Sequence, residues 1–149
     1  MLSEQEQKRV ARVIDANANR LREGLRVAEE ISRLILNQAG LTQALKDKRH
    51  LAGDLVARLL QTETLLEARD SLGDMGGNEG FDTLPRQTIT DILRANLGRS
   101  QEACRVLEEF SKLTDPNIAE AFKRIRFDLY TIEKGMISDL STTPNQSSV

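Results

Sequence analysis

Polar and apolar residues alternate along most of this chain with a helical period. Val13, Asn17, Arg20, Gly24, Val27, Ile31 and Leu34 recur at three- and four-residue steps, which places them on one face of a helix. Ser3 and Glu6 have the spacing of a capping box, so this helix is expected from about residue 4 to about residue 37. Gly40 is expected to end it with a left-handed turn. Thr42 then caps a second predicted helix, about 43–61, with Leu45, Arg49, Ala52 and Val56 on its inner face. Gly53 is a candidate for close approach by a neighbouring helix. A third helix is expected from Pro85 or Arg86 to Leu113. Asp115-Pro116 interrupts the pattern, and a fourth helix is expected at about 117–138, with Phe122, Arg126 and Leu129 on one face.

The pattern repeats. Residues 16–34 and 95–113 align at an offset of 79 positions, and ten of the nineteen aligned pairs are identical. The shared motif is A-N-x-x-R-x-x-E-x-x-R-V-x-E-E. Ala44, Lys46 and Arg49 match Ala121, Lys123 and Arg126 at an offset of 77, so the repeat covers a helix pair. The expected fold is all-α: four long helices, arranged as two hairpins related by an approximate two-fold axis. Residues 1–140 would form one domain, with repeats at about 4–61 and 86–138, and 141–149 a disordered polar tail.

Asn17, Arg20, Asn96 and Arg99 fall within the apolar stripes, and Arg49 and Arg126 do so in the partner helices. A buried guanidinium is costly without an anion and hydrogen bonds to satisfy it. One reading has Arg20, Arg49, Arg99 and Arg126 converging on anion sites between the hairpins, for phosphate or carboxylate, with Asn17 and Asn96 adding neutral hydrogen bonds. The other is internal: Glu23, Glu30, Glu102 and Glu109 flank the stripes and could answer the arginines. Arg26 with Glu30, and Arg105 with Glu109, have the spacing of ordinary intrahelical pairs.

Composition narrows the function. Charged residues make up 30% of the chain with a net charge of −2, which disfavours a nucleic-acid binder. No apolar run reaches membrane-spanning length, and the polar N-terminus predicts no secretory signal. Cys104, the single cysteine, can form no internal disulfide, which suits a cytoplasmic protein. Cys104 aligns with Leu25, and a thiol at such a position is expected to pack. His50, the only histidine, is expected on a flank without metal partners.

Between the repeats, residues 68–83 read ARDSLGDMGGNEGFDT. Four glycines there break helical structure. The segment is either a connector or a functional loop. As a loop, Arg69 would hold phosphate, and Asp70 and Asp74 would hold Mg²⁺ and serve catalysis. No Walker A signature is present.

The two motif copies, the A-R-D-x-x-x-D-x-G segment and the closing F-x-x-x-R-F-x-L-Y-x-x-E-K (122–134) resemble a known family. It is the small helical domain at the N-terminus of some thiamine-phosphate synthases, which also occurs alone. The resemblance covers about residues 5–138. It implies a role in thiamine biosynthesis, with a phosphorylated pyrimidine as ligand and, as the family has been named, hydroxymethylpyrimidine-phosphate kinase activity using ATP and Mg²⁺. The rival expectation is a non-catalytic module that dimerises or binds a synthase. An ordered loop facing Arg20 or Arg99 would favour the enzyme.

Overall fold

The computed structural model describes residues 1–60 and 84–142. These form four α-helices: α1 (Glu4–Glu30), α2 (Ala39–Leu59), α3 (Ile89–Ser111) and α4 (Pro116–Thr142). No strand occurs among the described residues. α1 and α3 make the central pair, α2 packs on α1, α4 packs on α3, and α2 meets α4 more lightly. One hydrophobic core runs through all four helices.

The helix starts follow local hydrogen-bond chemistry. At α1 the Ser3 hydroxyl accepts from the Glu6 amide at 3.1 Å, and the Glu6 carboxylate accepts from the Ser3 amide at 2.8 Å. The expected capping box is therefore present. α3 begins later than expected: Pro85 and Arg86 precede it, and Thr88 and Asp91 form a second capping box. Asp115 accepts from the Asn117 amide at 2.9 Å and so starts α4 at Pro116.

The first turn differs more. α1 does not continue regularly to residue 37. It passes into a π-helical turn, Ile31–Ile35, where the Leu36 amide donates to the Ile31 carbonyl. The left-handed residue is Asn37, at φ 55°, whereas Gly40 lies inside α2. Asparagine tolerates that conformation better than most residues, which removes the need for glycine. α2 starts at Ala39, so Thr42 is not its N-cap. Thr42 Oγ1 donates to the Gln38 carbonyl and shares a 2.8 Å hydrogen bond with the buried Ser32 hydroxyl. Residues 141 and 142 belong to α4 rather than to a tail, and 143–149 lie outside the described residues.

The buried face of α1 is centred about one position away from the expected stripe, of which Asn17, Gly24 and the following Ile31 remain buried. Ile14, Ala18, Leu21, Leu25 and Ala28 are buried, and so are Leu93, Leu97, Ser100, Cys104 and Leu107, each 79 positions on. Leu34 and Leu113, expected in the stripes, are 61% and 53% exposed. Gly24, not Gly53, is where helices approach closely. A Cβ on Gly24 would run into Ser100 Oγ and the Asn96 carbonyl oxygen, whereas one on Gly53 would meet open space. Beside Gly24 the Ser100 hydroxyl donates to the Leu21 carbonyl at 3.1 Å.

Candidate functional site

Two buried carboxylates organise the polar interior. Glu29 and Glu108 occupy equivalent repeat positions and are each 4% exposed. Glu29 accepts from Arg49 Nε at 2.6 Å and from its terminal nitrogen at 3.1 Å. Glu108 accepts from Arg126 at 2.9 Å. Each arginine thus turns to the glutamate of its own hairpin. Hydrogen bonding to Glu29 raises the Arg49 pKa, and contacts with Tyr130 and Glu108 raise that of Arg126.

Neighbouring charges are ordinary surface pairs. Arg26–Glu30 at 3.4 Å and Arg105–Glu109 at 3.1 Å form as the spacing predicts. Arg105 also lies 3.5 Å from Glu108. The hydrogen bond from Lys112 leads the interactions that lower the Glu109 pKa.

Arg20 and Arg99 are exposed, contrary to the expectation of burial. The shift in helical phase carries both to the solvent side, and neither has an ion pair among the described residues. Asn17 is buried, but its amide donates to the Val13 carbonyl at 2.9 Å. Asn96, partly buried, does the same to Ile92 at 2.8 Å. Arg69, Asp70 and Asp74 lie outside the described residues, as does the whole 68–83 segment. Among the described residues no three His, Cys, Asp or Glu side chains cluster as metal ligands. His50 is exposed. Cys104 is buried, and desolvation pushes its pKa up to about 12. No helix among the described residues is long and apolar enough to cross a membrane.

The α3–α4 side carries a cleft of about 450 Å³, lined by Gly98, Gln101, Glu102, Arg105, Arg126 and Tyr130. Gln101 donates to Glu133 at 3.3 Å across this side. Arg126 is mostly enclosed, with its side chain 13% exposed. Its guanidinium lies 4.9 Å from the centre of the Phe127 ring, and one nitrogen reaches the Tyr130 hydroxyl at 3.5 Å. Its Nε is buried without a hydrogen-bond partner among the described residues. Of the expected ligand-binding residues that lie among the described residues, only Arg126 lines this cleft. Gln101, Arg105 and Tyr130 were missed, although Tyr130 is the chain's single tyrosine and stands four residues after Arg126.

A family model described as the ThiD2 family matches residues 12–135. The chain belongs to the ThiD2 family. As a ThiD2 protein it is also similar to longer curated proteins. The thiamine-phosphate synthase of Nostoc punctiforme is 46% identical over 138 residues, 90% of this chain and 37% of that protein. Those of Rhodopirellula baltica and Gloeobacter violaceus are 38% and 41% identical, covering 84% and 86% of this chain and 33% and 36% of theirs. The chain thus spans about a third of the length of these relatives. No solved structure matches it significantly.

Proposed function

We propose that this ThiD2 chain is a helical partner-binding module of thiamine biosynthesis that works with a thiamine-phosphate synthase. One observation carries the reading: 90% of the chain corresponds to 37% of the Nostoc punctiforme synthase. The match is to one part of a larger protein, and that part has its own core here. The chemistry of the repeat is consistent with a scaffold. Arg49 and Arg126 are engaged by Glu29 and Glu108, so the arginines among apolar residues are answered internally. Self-association is open to the same module, and the cytoplasm is its proposed compartment. The recurrence of buried positions at the 79-residue offset supports two copies of one hairpin related by a two-fold axis.

A second reading is a kinase acting on a phosphorylated pyrimidine with ATP and Mg²⁺. The cleft beside Arg105 and Arg126 favours it, since guanidiniums suit phosphate. In that reading Asp70 and Asp74 hold the metal, and Arg20, Arg69 and Arg99 add phosphate contacts.

The test is sedimentation of the chain with the thiamine-phosphate synthase of the same organism, alongside a thermal-shift panel of thiamine-pathway phosphates with and without ATP-Mg²⁺. A complex at micromolar concentration, without a Mg²⁺-dependent ligand shift, supports the module. No complex, together with an ATP-Mg²⁺-dependent shift lost in Asp70→Asn and Asp74→Asn, supports the kinase instead.

A further inference from the structure

Phe127 and Tyr130 lie on the outer side of α4 and are 51% and 44% exposed. They touch edge to face, with ring centres 6.0 Å apart and planes at 65°. Together they form a contiguous aromatic patch. A lone exposed apolar residue requires no explanation, but a joined pair of this size is a candidate contact surface.

The repeat supplies an internal control. At the 77-residue offset, Arg126, Phe127 and Tyr130 correspond to Arg49, His50 and Gly53. The arginine and its buried glutamate are present in both hairpins, so the fold uses that pair twice. The aromatic residues are present in one hairpin alone. At Gly53, the place of Tyr130, an added Cβ would meet nothing within 4 Å. Packing of a hairpin therefore does not require aromatic side chains at these two positions.

The patch is held in place before any partner arrives. The Arg126 guanidinium lies against the Phe127 ring, within 3.5 Å of the Tyr130 hydroxyl, and is fixed from behind by Glu108. Aromatic anchors that lose little freedom on docking are characteristic of binding hot spots. The edge carries mixed charge: Arg105 is already paired with Glu109 and lies near Glu108, whereas Lys123 has no ion pair among the described residues. Lys123 lies 6.0 Å from the Phe127 ring centre, and Arg105 shares the adjoining cleft with Tyr130. Glu102 is the one acid among the cleft residues named above. Lys123 suits a partner that places a carboxylate beside an apolar pocket.

We propose that Phe127 and Tyr130 are the anchor through which this module docks onto the thiamine-phosphate synthase, inserting into an apolar pocket with a carboxylate opposite Lys123. The proposal rests on the module reading. Nearly two-thirds of each relative's length lies outside the part this chain matches, and that remainder is the natural source of such a face.

The experiment measures binding of the chain to the synthase of the same organism by calorimetry and sedimentation. It compares the wild-type chain, Phe127→Ser/Tyr130→Ser, and Leu51→Ser, an exposed α2 control. Circular dichroism and thermal melting verify that each variant folds. The double variant should bind at least about 30-fold more weakly and the control should bind normally, as expected for a hot spot. Wild-type affinity should fall with added salt if a carboxylate meets Lys123. Equal binding by the double variant overturns the anchor and leaves the module reading standing. Failure of the wild-type chain to bind overturns both. Self-association lost in the double variant, with synthase binding intact, assigns the patch to a second copy and overturns the proposal.

Discussion

Cys104 is the chain's one thiol, and burial sets its chemistry. Its pKa is raised from 9.0 to about 12, chiefly by desolvation. The folded state therefore holds this proton at pH values where the unfolded chain has released it. Between pH 9 and 12 the native state binds more protons, so stability contributed by this site falls as pH rises. Cys104→Ala should show a shallower alkaline loss of stability than the parent, measured by urea unfolding across that range. The native thiol should also resist a disulfide reagent at pH 8 until the chain unfolds. The buried ion pairs give a second prediction. Glu108→Ala leaves Arg126 enclosed without its carboxylate and should cost about 3 kcal/mol, near the lower end for breaking a buried pair. A loss below about 0.5 kcal/mol would mean that it behaves like a surface pair. The same residues explain what the sequence concealed. In the first helix two adjacent helical phases satisfy the apolar period, one through Val13, Val27 and Leu34, the other through Ile14, Leu21 and Leu25. The second phase is the buried one. It turns Arg20 outward and Glu29 inward, and the repeat carries the same shift to Arg99 and Glu108. Arg49 and Arg126 keep their predicted inward positions because their own helices were phased correctly.

At the scale of elements, helix starts with a side-chain cap were easier to locate than turns shaped by packing. The Ser3–Glu6 box is local in sequence and was readable, and the Thr88–Asp91 box was present but overshadowed by Pro85. The π-helical turn depends on Ser32 being buried against Gln38 and Thr42, a contact that propensity does not reveal. Close helix approach was equally ambiguous, since two glycines offered themselves. Gly24 faces the Asn96 backbone, which cannot retreat as a flexible side chain could. Gly24→Ala should therefore destabilise the α1–α3 crossing by about 1–3 kcal/mol through overpacking, despite the gain in helix propensity. Gly53→Ala, with open space around it, should stabilise α2 by about 0.5–1 kcal/mol. Thermal or urea unfolding of the two variants measures the contrast. Equal effects would mean that the crossing relaxes freely.

For the whole molecule, the α1–α3 pair joins two hairpins that place buried residues at matching repeat positions. The Ser100 hydroxyl meets the Leu21 carbonyl, and residue 100 is the repeat equivalent of residue 21. Contact between equivalent positions is what the proposed two-fold arrangement of the hairpins would produce. This relation yields a test independent of ligands. A fragment of residues 1–60 keeps α1 and α2 but loses α3 and α4, against which the four-helix core is built. Alone, such a hairpin buries too little apolar surface to offset its chain entropy. A second copy of the fragment can replace the missing hairpin, with Gly24 allowing the two α1 helices to come close and the Leu21 positions meeting near the axis. The fragment should therefore gain helix with concentration and sediment as a dimer where it is helical. The intact chain should unfold as one cooperative unit, because separating the hairpins opens the shared core of both. Far-UV circular dichroism and sedimentation across a hundredfold range of fragment concentration measure the linkage. A fragment that is fully helical and monomeric at all concentrations would show that the first hairpin is stable without the second, and would count against the proposed two-fold pairing.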